Sequence, residues 1–203
     1  MEPARRQRRV DGGSVRLLLF LLVGVAAIVT LVMTHDRLVA REEAVDAAWA
    51  DVESSLQRRA DLVPNLVRSL RAHMRYESET LLALVRERAE ALREGLADGQ
   101  AGKAAHLARL EAALSRELAV VMPRLVAMPE LRSGDQFLRF QAQLEGSENR
   151  VNVARLRYNA AVRDYNDALR GFLGRWVAGS LDLAPRDYFE AGPGAGAAPE
   201  VAF

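Results

Sequence analysis

Three groups of polar residues are the ones on which chemistry could be built. They are Arg58, Arg59 and Asp61; Glu148, Asn149 and Arg150; and the pairs Tyr158-Asn159 and Tyr165-Asn166, with Asn152 one heptad earlier. Two guanidinium groups beside a carboxylate fit capture of a partner's carboxylate or chain terminus, because arginine presents paired donors to such a group. They fit equally the plainer work of capping helix ends and pairing with acids such as Glu148. Glu148-Asn149-Arg150 reads first as a buried polar network. The Tyr-Asn pairs read first as seam residues whose amides and hydroxyls hydrogen-bond across neighbouring helices and fix register, with a recognition surface as the alternative.

Catalytic machinery of a familiar kind is not legible. His35, His73 and His106 lie in different segments without a Glu-x-x-His or His-x-x-x-His spacing, and the chain has no cysteine. Glu77 and Glu79 near His73 are better read as solvated helix-surface charges than as zinc ligands. Glycines cluster without a phosphate-loop lysine, and no serine sits in a Gly-x-Ser-x-Gly or Ser-x-x-Lys setting. No metal, cofactor or catalytic residue is expected, and no disulfide.

The elements that must hold these residues are helical. Alanine, leucine, arginine and glutamate dominate, and no stretch alternates with a period of two. The first outer segment starts near Arg37, with Val45, Trp49, Val52, Leu56 and Val63 on one face. Pro64-Asn65 interrupts it, and the pattern resumes from Leu66 to about Arg93. A continuous helix over 37–94 would run ~87 Å at ~1.5 Å per residue, far longer than the later helices could cover. A turn at 62–65 is therefore expected over a kinked helix. Gly95 to Gly102 reads as a connection, and Ala104–Val121 as the third helix. Met122–Ser133, bounded by Pro123 and Pro129, reads as an irregular corner.

The fourth helix has the sharpest period. Phe137, Leu144, Val151, Tyr158, Tyr165 and Phe172 are spaced by seven, flanked by a column of Phe140, Ser147, Ala154, Ala161 and Ala168. Bulk beside alanine lets a neighbouring helix approach closely. Asn152, Asn159 and Asn166 form a third column. Gly171 and Gly174 end the helix, and the apolar stretch from Trp176 to Phe189 is expected to fold back onto the bundle.

Location is set by Leu17–Met33, an apolar run without a charge. Its seventeen residues reach ~25 Å as a helix, a short span for a hydrocarbon core of ~30 Å. The run ends Val32-Met33-Thr34-His35-Asp36, with no small-residue cleavage site, so an uncleaved anchor is expected rather than a removed signal. Arg5, Arg6, Arg8, Arg9 and Arg16 precede it, which places the N-terminus in the cytoplasm and the rest outside. Beyond the run the chain carries a net charge of about −2, which gives no global field for nucleic acid. The expected organisation is a basic cytoplasmic tail (1–14), a transmembrane helix (15–34), an antiparallel, up-and-down four-helix bundle (35–191) and a tail without order (192–203). The fold class is all-α.

These stretches together resemble the LemA family over nearly all of residues 35 to 191. The resemblance is carried by AVDAAWADVESSLQRRADLVPNLVRSL (44–70), with Trp49, Arg58-Arg59 and Asp61 to Val67. It is carried also by MPELRSGDQF (128–137), ENRVNVARLRYNAAVRDYNDALRGF (148–172) and Pro185-Arg186-Asp187-Tyr188-Phe189-Glu190-Ala191. Four residues depart from the family's usual ones: His35-Asp36 replaces a Tyr-Asn pair, Met128 a tyrosine, and Leu173 a proline. The resemblance implies a membrane-anchored helical bundle without established enzymatic activity. Genes of the family often neighbour those of a membrane zinc metalloprotease or a TPM-domain protein, which implies envelope quality control. The reading is a non-catalytic interaction or scaffold module at the inner membrane, bound to lipid by its anchor and to protein partners or other copies. The alternative is an enzyme, or an accessory subunit completed by a membrane protease.

Overall fold

The computed structural model describes residues 12–70, 76–98, 103–128 and 134–190, all helical apart from short connections and the final extended stretch. Five helices follow one another: α1 Gly12–Leu70, α2 Tyr76–Ala97, α3 Lys103–Val126, α4 Asp135–Arg170 and α5 Phe172–Leu181. No strand occurs among the described residues. The expectations for residues 1–11, His73 and the tail 192–203 lie outside them.

α1 begins just before the apolar run and continues through it into the bundle without a break, and the run itself is exposed along its length. The turn expected at Pro64 is absent: α1 passes through Pro64 to Leu70. Proline removes one backbone donor and costs about 3 kcal/mol in a helix interior. Buried Leu56, Ala60 and Val63 on the preceding turns hold the helix against its neighbours all the same. The length objection does not apply either, because α1 is described to Leu70 and α2 from Tyr76. From Arg37 to Leu70 is only ~50 Å, which the ~54 Å of α4 can cover.

Two further boundaries move for the same reason, that packing outweighs a local breaker. α3 runs through Pro123 to Val126, with Val121 and Leu125 buried. Gly95 belongs to α2 rather than to the connection, and a Cβ there would come within 2.6 Å of the Leu110 side chain, so glycine allows α2 to close on α3.

Cross-helix contacts fix the directions. Asp61 meets Arg93 of α2, Glu53 meets Lys103 at the start of α3, and Arg59 meets Glu111 two turns further on. As α1 ascends from 53 to 59, α3 ascends from 103 to 111, so the two run parallel. Along α4 the order reverses: Trp49 packs on Tyr158, and Arg186, which is hydrogen-bonded to Asn166, pairs with Glu42 and Asp46. The result is an up-and-down bundle in which α1 is the central helix. Leu38, Val45 and Val52 form one heptad column of its core face, and Leu56 and Val63 another. α4 answers with both of its expected columns, from Phe137 to Tyr165 and from Phe140 to Ala154. The bulky column stops at Tyr165. Phe172 is exposed, because α4 ends at Arg170 and the chain changes direction at Gly171.

Candidate functional site

The heptad column that begins at Leu38, Val45 and Val52 reaches Arg59 at its next step. Arg59 is therefore a core residue by position, and it is 2% exposed. A guanidinium so placed needs a partner, and Glu111 supplies one: Arg59 Nη1 donates to Glu111 Oε1 at 2.7 Å. Ser115 Oγ donates to the same oxygen at 2.8 Å. Glu111 interrupts the apolar stripe of α3 as Arg59 interrupts that of α1, lying one turn from Leu107 and from Leu114. Two breaks in two stripes, facing each other, are the signal by which the pair could have been found.

Above this ion pair α3 and α4 stand apart and leave a groove of about 650 Å³. Its sides are Ala112, Arg116 and Ala119 from α3 and Glu145, Glu148 and Val151 from α4, and Phe189 closes one end. Arg59 contributes to its floor, where the Nε atom is buried and has no hydrogen-bond partner among the described residues. An unmatched buried donor costs about 1–3 kcal/mol, and Nε, without exposed surface, bears that cost inside the core.

The expected pairing of Arg59 with Glu148 does not form, because Glu148 stands on the opposite wall. Glu148, Asn149 and Arg150 are all exposed instead of forming a buried network. Arg58 is exposed, and Asp61 is occupied by Arg93 and by the Gln57 amide. Pro64 is half-buried, and Asn65 accepts from Arg68 on the helix surface. His35 and His106 are exposed on different helices, and among the described residues no three His, Asp or Glu side chains converge on a metal position.

The asparagine column divides. Asn152 is exposed and accepts from Arg155 at 2.7 Å. Asn159 and Asn166 hydrogen-bond, but to the returning chain and not to a neighbouring helix. Asn166 takes the N–H of Arg186 on Oδ1 at 3.0 Å and gives Nδ2 to the same residue's carbonyl at 2.9 Å. Asn159 does the same with Phe189, at 2.9 and 3.0 Å. The spacing explains why both can form. Seven helical residues advance ~10.5 Å, and three extended residues advance ~10 Å, so successive heptad asparagines meet every third residue of an extended segment. Tyr158 adds a bond from its hydroxyl to the Asp187 carbonyl at 2.8 Å. Phe189 is thereby set against Trp49, which is half-buried between it and Tyr158 at centroid distances of 6.3 and 5.1 Å.

Burial pushes the phenol of Tyr158 above its ordinary pKa, with Arg186 opposing and Asp187 and Asp46 adding to the rise. Burial raises Tyr165 too, reinforced by Glu42. The Arg186 guanidinium is held above its ordinary value although burial opposes this, because Asp46 and Glu42 outweigh it. A folded phenol with a raised pKa contributes stability that is fully present below the unfolded value of about 10 and is lost as pH climbs beyond it. Tyr158→Phe should therefore lower stability at pH 7 by about 1 kcal/mol through the lost hydrogen bond. It should also flatten the decline above pH 10. Urea midpoints of the full chain in detergent from pH 7 to 11 check this, and an unchanged alkaline slope would contradict it.

Fold and comparisons together place the molecule among membrane-associated, all-helical bundle proteins. The chain belongs to the LemA family, whose model matches residues 48–203. It is 27% identical over 209 residues to Magnetosome protein MamQ of Magnetospirillum gryphiswaldense, a match covering 92% of this chain and 76% of that protein. Magnetosome proteins MamQ 1 and MamQ 2 of Paramagnetospirillum magneticum match at 26% identity with the same coverage.

Proposed function

We propose that this protein is a non-catalytic, membrane-anchored interaction module that receives a polypeptide segment of a partner in the groove between α3 and α4. The anchor is the apolar start of α1. The arginines before it support a cytoplasmic N-terminus in the inner membrane, with the bundle on the outer side. The observation that carries the reading is an open groove of about 650 Å³ between α3 and α4 whose lining includes the buried Arg59–Glu111 ion pair. Its match is a segment that brings an acceptor, a carboxylate or a main-chain carbonyl, to Arg116 and Arg155 and that is apolar enough to lie on Ala112, Val151 and Phe189. Walls that carry Arg116 and Arg155 beside Glu145 and Glu148 balance in charge and suit a mixed polar rim.

A photo-reactive amino acid at Arg116, on the rim, tests the groove in native membranes, with Glu87 on α2 as the control position. A discrete adduct at Arg116, suppressed by Ala119→Trp in the groove wall, is the expected result. Equal labelling from both positions, or an adduct indifferent to Ala119→Trp, would remove the groove from the function. Mass spectrometry of the adduct decides between another copy of the chain and the partners implied by the family resemblance, a membrane metalloprotease or a TPM-domain protein. Orientation is read on Glu148→Cys, in an otherwise cysteine-free chain, by a membrane-impermeant maleimide that should label intact spheroplasts.

A further inference from the structure

α5 is apolar on both sides, yet only one side is covered. Gly174, Val177 and Ala178 are buried against the bundle, where α5 packs on α1 and α4. A Cβ at Gly174 would lie 1.9 Å from the Ala168 carbonyl oxygen, so this end of α5 is pressed onto the last turn of α4. The opposite side carries Phe172 and Trp176, one turn apart, at 74% and 76% exposure. These are large aromatic surfaces to leave in water.

The height of α5 along α1 follows from the contacts already described. Trp49 faces Tyr158, so one heptad back along α1 and one forward along α4 sets Glu42 level with Tyr165. Continued to the end of α4, this brings Phe172 level with about His35. The returning extended segment gives the other end. Arg186 is level with Asn166 and Phe189 with Asn159, so Leu183, three extended residues before Arg186, lies ~10 Å further toward the span, level with about Thr34. Both ends of a helix ~15 Å long thus lie at one height, that of the first residues after Leu17–Met33. α5 lies across α1 and parallel to the plane of a membrane that α1 crosses.

We infer that α5 is an interfacial helix that inserts Phe172 and Trp176 into the lipid surface at the end of the α1 span. The occupant of its uncovered face is the bilayer that already holds α1, because the face is continuous with the exposed apolar surface of that span. Tryptophan and phenylalanine suit the boundary between headgroups and acyl chains. The exposed guanidinium groups of Arg37, Arg170 and Arg175 at the same level suit lipid phosphates. The inference rests on the anchor reading of α1 but not on which side of the membrane the bundle occupies.

Site-directed spin labelling tests it, since the chain contains no cysteine. Nitroxides are placed singly at Phe172→Cys and Trp176→Cys in the full chain, reconstituted in phosphatidylcholine–phosphatidylglycerol vesicles. Both side chains are exposed, so neither change disturbs the core, and each variant keeps the other aromatic. Val25→Cys in the middle of the span and Leu156→Cys on the exposed side of α4 are the references. The ratio of oxygen to nickel-chelate accessibility at 172 and 176 should be several-fold above that at 156 and below that at 25. A ratio equal to that at 156, with 25 still behaving as buried in lipid, would overturn the inference and leave the anchor standing. Loss of the high ratio at 25 would overturn both. Exclusion of both reagents at 172 and 176 would show protein, not lipid, on this face and would also overturn the inference.

Discussion

Arg59→Met is expected to destabilise the bundle by about 3–5 kcal/mol, because it strands the Glu111 carboxylate, 15% exposed, in a site that has lost its cation. Glu111→Leu should do comparable damage by leaving a guanidinium in the core without its counter-ion. The double variant is the informative one. With both charges gone, apolar side chains of similar volume fill the interface, and stability should return to within about 1 kcal/mol of the original or exceed it. Urea midpoints of the full-length chain in detergent measure all three. A double variant as unstable as the sum of the singles would mean that the ion pair organises α1 and α3 in a way apolar packing cannot replace. If the double variant folds but loses the adduct expected at Arg116, the buried charge serves binding rather than stability.

The second large effect is expected at Asn159 and Asn166. Each holds both the N–H and the C=O of one residue in the returning segment, so Asn→Leu removes two hydrogen bonds at once. At about 1–1.5 kcal/mol for each bond, either variant should lose about 2–3 kcal/mol. The pair should be less than additive. Both rungs hold the one segment 183–190, together with Tyr158, buried Phe189 and the ion pairs of Arg186, so loosening it at one rung leaves the other with less to lose. Hydrogen exchange at the Arg186 and Phe189 amides reports the release directly. Should both leucine variants keep the original stability and protection, the ladder is incidental and the asparagines must be explained by a partner.

Much of this architecture is legible in the residues, and the exceptions have identifiable causes. The columns of α4 could be read because spacing by seven over 36 residues leaves one solution for the buried face. The role of the asparagines could be read only in part. A polar column beside a seam announces hydrogen bonding, but whether its mates lie on a helix or on an extended strand depends on where a distant segment returns. The prolines misled for a physical reason. Pro64 and Pro123 each remove one helical hydrogen bond, whereas the apolar side chains on the adjoining turns together secure more than that loss. Glu111 was hidden because a single acid in an amphipathic stripe is ordinarily a solvated residue near the edge of the apolar face. Its meaning appears only once Arg59, a break in another stripe 52 positions earlier, is set opposite it.

The unbroken course of α1 from Leu17–Met33 into the bundle makes the proposed anchor and the central helix of the bundle a single lever. In the proposed anchoring, α1 has no break after Met33 at which the bundle could swivel independently of the span. Arg59 lies 26 residues beyond Met33, or ~39 Å along the axis. A span that leans by ~20°, an ordinary tilt, therefore carries the groove sideways by ~13 Å. Because the apolar run is short for a typical bilayer, a thicker membrane holds the lever upright and a thinner one lets it lean. The lateral reach of the groove is thus set by bilayer thickness.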